Sequence, residues 1–209
     1  MNKKKNAFSQ EEVWDKVSGK WNEFRNEPKQ GVPEFLKKQK GKVLDLGCGT
    51  GRHFIKSKKI QIYGIDFSEK MLKFAREKDI AIEIKKAEAI KIPYDDNFFN
   101  TAIFIATLQC IETKEKREKS LKEIYRVLKS GSEALITVLS KGHIRVRNKT
   151  KETTIPWTVN GIKYHRYYYV YDLEELESLL KKIGFKIIKI EQLKRSKNKE
   201  NIVAIVKKP

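Results

Sequence analysis

The 209-residue sequence predicts an α/β fold: a doubly wound, mostly parallel seven-stranded sheet with an antiparallel C-terminal strand. Three observations carry that expectation. Short apolar runs alternate with helical stretches between residues 43 and 139. Several of these runs are apolar throughout rather than at every second position, as expected of strands covered on both faces. The first run ends in Gly47-Cys48-Gly49-Thr50-Gly51, a turn through which a strand can lead directly into a helix.

Taken in order, Ser9-Gln10-Glu11-Glu12 is a capping box that opens a helix running to about Asn22. Val13, Trp14, Val17 and Trp21 follow helical spacing and face the body of the protein. Residues 25–28 break the pattern, and 32–38 form a second helix. Strands are expected over 43–46, 61–65, 80–85, 101–106 and 133–139, with helices over 69–78 and 116–128. Residues 141–171 depart from this rhythm, with seven Lys/Arg, one Glu, one Trp and five Tyr in little periodicity, and read as an insertion. Asp172 caps a helix over 173–183 that Gly184 ends. Residues 186–191 and 202–207 alternate as two strands around a basic loop, 194–201, which places one antiparallel strand in the sheet. No repeat or long linker interrupts the chain. One domain over 1–209 is expected, with an N-terminal helical flap over 1–40 and the insertion over 141–171.

Composition excludes several classes. Hydrophobic residues at 39% are too many for a disordered chain. The longest nearly unbroken apolar run, 101–108, is less than half a membrane span, and no apolar core follows the basic start Met1-Asn2-Lys3-Lys4-Lys5. A cytoplasmic protein with no membrane association is expected. Cys48 and Cys110 are too few for a disulfide framework, and with three scattered histidines they make no zinc pattern, so no metal is expected. The net charge of +19 points to a polyanionic partner. Lysines outnumber arginines 37 to 9, however, so a compositional bias of the host genome accounts for the charge as well. Both readings stand.

The glycine-rich turn carries the chemistry. After a buried strand, three glycines at alternate positions let backbone approach a ligand, and the N–H groups that follow suit an anion. Asp66 ends the next strand, where a carboxylate accepts both hydroxyls of a ribose. A dinucleotide fingerprint would need a small residue where Arg52 stands. The chain instead resembles the class I S-adenosylmethionine-dependent methyltransferases, with their Rossmann-like sheet. The motifs that carry the likeness are the loop Asp45 to Gly51, Gly64-Ile65-Asp66-Phe67-Ser68, Ala87-Glu88-Ala89, Ile92-Pro93-Tyr94, the strand ending at Ala106, and Glu123-Ile124-Tyr125-Arg126-Val127-Leu128-Lys129. The resemblance implies S-adenosylmethionine as cofactor. Asp45 with Gly47, Cys48, Gly49 and Gly51 would hold its methionine end. Asp66, beside Ser68, would take the ribose. Glu88, between Ala87 and Ala89, would meet the adenine beside Phe67 or Met71, and Ala106 would face the cofactor from the fourth strand.

Methyl transfer needs a general base only where the acceptor carries a proton that must leave. After the fourth strand stand Gln109 and Cys110, where many relatives have histidine, which fits an acceptor already ionised, such as a carboxylate. The flanks are similar to the tRNA wobble-uridine carboxymethyl methyltransferases, in Arg25 with Pro28 and in the basic Arg166-Tyr167-Tyr168 segment. The resemblance implies an acceptor pocket from Arg25, Gln109, Arg166 and Tyr167, a tRNA partner, and a small zinc-binding activator subunit where strand 80–85 forms an edge. Basic residues interleaved with Trp157, Tyr164, Tyr167, Tyr168 and Tyr169 are expected to meet phosphates and stack on bases. Two alternatives remain open: a small-molecule methyltransferase of the quinone or metabolite type, and a non-catalytic RNA-binding relative.

Overall fold

Alternate residues of a buried strand project to opposite faces, and here each set finds its own helical cover. The computed structural model describes residues 8–146, 148–194 and 200–209. Its central sheet contains β1 (Gly41–Leu46), β2 (Ile60–Asp66), β3 (Glu83–Lys86), β4 (Phe99–Ile105), β5 (Leu128–Leu139), β8 (Lys186–Lys194) and β9 (Glu200–Lys207), in the order β3-β2-β1-β4-β5-β9-β8. The first five run parallel, and β9 lies antiparallel between β5 and β8. Leu44, Leu46, Ile65, Phe104 and Ile136 pack on one face with α4 (Lys114–Val127) and α5 (Leu173–Ile183). Val43, Ile62, Ile103 and Leu135 pack on the other with α2 (Val32–Leu36) and α3 (Glu69–Arg76). The mostly parallel seven-stranded sheet and its antiparallel C-terminal strand are as the sequence predicts.

Local signals set most boundaries. Ser9 and Glu12 form both bonds of the capping box at the start of α1 (Gln10–Phe24), and Gly184 closes α5 in the left-handed conformation at φ 108°. Two expectations need correction. The third strand is shorter than 80–85, because Ile80 and Ala81 pack against the α3 cluster; Ile82 N–H makes one bond to the Ile62 carbonyl, and the ladder with β2 covers Glu83–Lys86. Asp172 occupies the N-cap of α5 by backbone alone; its side chain makes no cap bond and lies 3.6 Å from the Lys151 ammonium.

The larger correction concerns residues 141–171. They contain a hairpin, β6 (Glu152–Val159) and β7 (Ile162–Tyr169), closed by Asn160 and Gly161 at φ 48° and 78°. Asn-Gly between paired strands is a two-residue turn signal, and both residues adopt the positive φ that such a turn requires. The alternation is real but disguised: Tyr164, Arg166 and Tyr168 are buried, whereas Lys163 is exposed and His165, Tyr167 and Tyr169 are half-buried. An arginine on the buried face conceals the period of two. The hairpin packs on α1, sharing a small core of Val13, Val17, Met71 and Tyr164 with Trp14, Trp21 and Trp157. Arg147 and most of the basic loop 194–201 lie outside the described residues, as do residues 1–7 of the flap. No described helix is long and apolar enough to cross a membrane.

Strand order reverses beside β1: the chain runs outward through β2 and β3, then returns to β4 on the other side. The loops that follow β1 and β4 therefore diverge and leave a crevice at the carboxyl ends of these strands.

Candidate functional site

The glycine-rich turn after β1 is tied to β2. Gly47 and Cys48 donate their N–H groups to the Ile65 carbonyl at 2.7 and 3.0 Å. Asp66, at the end of β2, accepts from Gly49 N–H at 2.9 Å and from Ser68 N–H at 3.0 Å. Burial, reinforced by Asp45, outweighs these bonds and pushes the Asp66 carboxyl up to about 6. Each oxygen accepts one hydrogen bond and keeps a lone pair for a ligand. From the other side of the crevice, Ala106 leaves β4 with φ 56°, a left-handed conformation costly for a residue with a side chain.

Gly47 shows why the turn needs glycine. At φ 70°, an added Cβ would stand 2.3 Å from the Thr107 side chain. Gly47→Ala therefore combines left-handed strain of roughly 1–2 kcal/mol with overpacking of roughly 1–3 kcal/mol. The melting temperature is expected to fall by at least about 4 °C. Truncating Thr107 to alanine in the same chain should recover part of the loss, and an unchanged melt for the single variant would refute the contact. At Gly49 the same test finds nothing within 4 Å, so this position opens onto empty space.

That space is a cavity of about 430 Å³. Gly47, Cys48, Gly49, Asp66, Phe67, Met71, Ala106, Gln109 and Arg25 line it, nine of the residues expected to form the site. Asp45 lies beside it at 1% exposure, and Gly51 packs against Phe54 and Ala75. Of the eight buried side-chain atoms without a hydrogen-bond partner among the described residues, five belong to Asp45, Thr50 and His53. Buried polar atoms are normally paired, and such a concentration marks a ligand site. The acid, the hydroxyl and the open glycine backbone fit the charged amino-acid end of S-adenosylmethionine, and the Asp66 carboxylate fits its ribose.

Other expected residues sit elsewhere. Ser68 is not available to a nucleoside: its hydroxyl accepts from Met71 N–H at 3.2 Å and donates to Asp15 at 2.5 Å, capping α3 and holding α1. Ala87 donates its N–H to the Asp66 carbonyl at 3.1 Å and, like Ala89, rests on the core outside the cavity lining. Glu88 is 59% exposed, 3.6 Å from the Lys116 ammonium, so its carboxylate is not brought to the cavity. Gln109 lines the cavity, but its amide oxygen accepts from Leu139 N–H and so anchors the turn after β4 to β5.

Tyr167 points away from the cavity. It accepts from Arg117 at 3.2 Å, and its N–H donates to Gln10 at 2.8 Å. Strand alternation places Tyr168 at the cavity in its stead. Arg166 is 1% exposed and lies behind the lining. Its guanidinium donates to the Tyr168 hydroxyl at 3.0 Å and sits 4.9 Å from the Trp157 ring and 5.5 Å from those of Trp14 and Trp21. Among the described residues no carboxylate pairs with it, and its Nε has no partner. The expected arginine fork is thus enclosed by rings instead of facing the acceptor. Tyr164 and Tyr168 are buried, and Tyr169 stacks on Arg117 at 3.8 Å, so these tyrosines hold the hairpin and are not open to bases.

Sequence reasoning missed two cavity histidines, His53 and His143. His53 directly follows the glycine loop and Arg52, a position that signals proximity. His143 lies in the insertion, and nothing in its neighbourhood in the sequence marks it. Its Nδ1 accepts from Arg145 N–H at 3.2 Å, so in the neutral ring Nε2 carries the proton and acts as a donor. Burial pushes the Cys110 thiol up to about 12, so it stays protonated. Burial, Arg145 and Arg166 all lower the pKa of Arg25, whose guanidinium also lies 5.9 Å from the Trp157 ring.

Residues 44–136 match a methyltransferase domain family. A probable tRNA methyltransferase 9B of Mus musculus is 26% identical over 69% of this chain and 32% of its own length. A tRNA (carboxymethyluridine(34)-5-O)-methyltransferase of Arabidopsis thaliana is 33% identical over 58% of this chain and 28% of its own. The chain spans about a third or less of these relatives. The fold of the CcbJ methyltransferase from Streptomyces caelestis superposes with a TM-score of 0.75, at 14% identity, covering 96% of this chain and 99% of the other. Sheet order, glycine loop and Asp66 define a Rossmann-like fold of the kind seen in that solved methyltransferase. Over residues 44–136, a little under half of its length, the chain is similar to the class I S-adenosylmethionine-dependent methyltransferases.

Proposed function

We propose that the protein methylates an anionic acceptor on RNA, the carboxylate of a carboxymethylated wobble uridine in tRNA. One observation carries this reading: the cavity walls from the flap, the segment around residue 143 and β7 bring two arginines and the Tyr168 hydroxyl together, and Nδ1 of His143 there is already occupied by Arg145 N–H. Arg25 and Arg145 line them, and the Cys110 thiol, on the turn after β4, is protonated. Of the acids in the lining, Glu27 lies on the exposed linker after α1, and Asp66 is bonded to the glycine loop. A carboxylate has no proton to lose, so positioning and charge complementarity suffice. Arg25 can meet it bidentately, and the Tyr168 hydroxyl, already accepting from Arg166, has its own proton to donate. S-adenosylmethionine, when bound, supplies an electrophilic methyl group on a sulfonium. Asp45, Thr50 and Asp66 would hold its polar ends, while Ala106 and Met71 shape the cavity between cofactor and acceptor. The tRNA relatives and the net charge of +19 support an RNA acceptor, and the edge strand β3, preceded by Ile82 at 61% exposure, offers a place for a small zinc-binding partner.

The test is single-turnover methylation of carboxymethylated tRNA beside unmodified tRNA. Product is expected from the first only, and methylation of the unmodified RNA would exclude a carboxylate acceptor. If about five phosphates are neutralised, log affinity should fall with log salt at a slope of roughly −3 to −4. Arg145→Glu with Lys149→Glu should flatten it. A slope near zero would remove RNA and favour a small-molecule acceptor in the same cavity.

A further inference from the structure

Asp45 and His53 lie side by side beneath the glycine loop, at 1% and 3% exposure, with Nδ1 3.8 Å from Oδ2. That is too long for a hydrogen bond, and neither Asp45 oxygen nor either ring nitrogen has another partner among the described residues. Four such atoms are not left dry and unpaired in a fold unless a ligand completes them. His53 lines the cavity, so the pair is within reach of a ligand. With a neutral ring the pair carries one negative charge and three free acceptor sites or more, which suits a small cation with several N–H bonds. An ammonium has that chemistry.

We propose that His53 is a positioning residue that orients the Asp45 carboxylate toward the α-ammonium of the cofactor, and that its protonation sets cofactor affinity. This rests on the methyltransferase reading above. Nδ1 faces Asp45 Oδ2 across 3.8 Å; when the ligand binds, Nδ1–H closes this gap and fixes one carboxylate oxygen, leaving the other for the ligand. Protonation of His53 reduces the charge of the pair from −1 to zero and sets an imidazolium beside an ammonium. The charged groups around the ring come from every element that meets it: Asp45 from β1, Arg52 from the loop, and Lys29 from the linker between α1 and α2. Burial lowers the pKa of His53 below its usual value; Asp45 opposes that, and Arg52 and Lys29 assist it. The ring is therefore neutral near pH 7, and affinity falls as pH drops through its pKa. Asp66, across the loop, titrates at about 6, so the effect of His53 must be separated from that of Asp66.

The experiment is calorimetric titration of the full chain with S-adenosylhomocysteine between pH 5 and 8, for the wild type, His53→Asn and His53→Leu. One linked proton gives a slope in log affinity of at most about one per pH unit. The wild type is expected to show that slope on top of the Asp66 contribution, and His53→Asn to lose it while binding within about threefold of wild type at pH 8, because its amide N–H replaces Nδ1–H. His53→Leu should bind at least about tenfold more weakly at pH 8, having lost a hydrogen bond to a charged group. The His53 ring protons, followed by NMR, should report a lower pKa with ligand bound. Equal pH slopes in wild type and His53→Asn, or an NMR titration unmoved by ligand, overturns the proposal even if the leucine variant fails to fold. Absence of binding by the wild type at every pH overturns the methyltransferase reading itself.

Discussion

Asp66→Ala is expected to weaken S-adenosylhomocysteine binding at least about tenfold and to loosen the glycine loop. The carboxylate accepts the N–H groups of Gly49 and Ser68 at 2.9 and 3.0 Å, and alanine strands both. Hydrogen bonds to a charged group contribute about 1.5–3 kcal/mol each, and about 1.4 kcal/mol is a factor of ten in affinity. The loss therefore exceeds tenfold if even one ribose contact depends on Asp66. Because burial raises this carboxyl to about 6, its contribution to fold stability is present at low pH and lost as pH rises through that value. The ribose contact needs the ionised acceptor, so cofactor binding moves the opposite way, strengthening as pH rises past about 6. Gly49→Val should abolish binding outright, since at φ 55° its side chain is strained and projects into the open space of the cavity. Calorimetry decides both, and unchanged affinity in Asp66→Ala would mean that the nucleoside lies elsewhere.

Replacing Arg166 should separate its structural role from its chemical one. Arg166→Lys keeps a charge but loses the plane that lies among Trp14, Trp21, Trp157 and Tyr168. An ammonium is more strongly hydrated than a guanidinium, and burying it without a carboxylate partner should cost roughly 2–4 kcal/mol. At about 2–4 °C per kcal/mol for a chain of this size, the melting temperature should fall by several degrees. Arg166→Met removes the buried charge and should melt closer to wild type. Arg166→Met leaves the Tyr168 hydroxyl without its donor, and Arg166→Lys offers a differently placed one from a shorter, unforked side chain, so both should lower single-turnover methylation at least about tenfold, with cofactor affinity little changed. Arg25→Lys should lower turnover comparably without the loss of stability, because Arg25 is only half-buried. Full turnover in Arg166→Met would show that Arg166 serves stability alone.

Much of the cavity's glycine-loop side is legible because it is written in contiguous residues. A buried strand, Gly47 through Gly51 and Asp66 one strand later meet through hydrogen bonds between adjacent parallel strands, β1 and β2, although the helix expected after the glycine turn is replaced by turns over residues 47–59. The sheet was legible for a similar reason: runs such as 101–106 are apolar on both sides, and capping residues such as Ser9 and Gly184 act on their immediate neighbours. Where one residue's parity decides, as with Tyr167 and Tyr168, the reading failed until the hairpin and its Asn160-Gly161 turn were known. The proposed acceptor half lies among Arg25, Gln109, His143 and Tyr168, which are separated by tens of residues and line one cavity only because the flap, the turn after β4, the segment around residue 143 and the hairpin converge on it. Whether a charged side chain faces that cavity or is enclosed by indole rings depends on packing between distant segments. For this reason the composition of 141–171 announces a basic, aromatic surface, while the folded chain buries Arg166 and three of its five tyrosines, Tyr164, Tyr168 and Tyr171. Local hydrogen bonding and side-chain period act within a few residues and can be read from their order; burial and charge pairing are decided by neighbours that folding supplies.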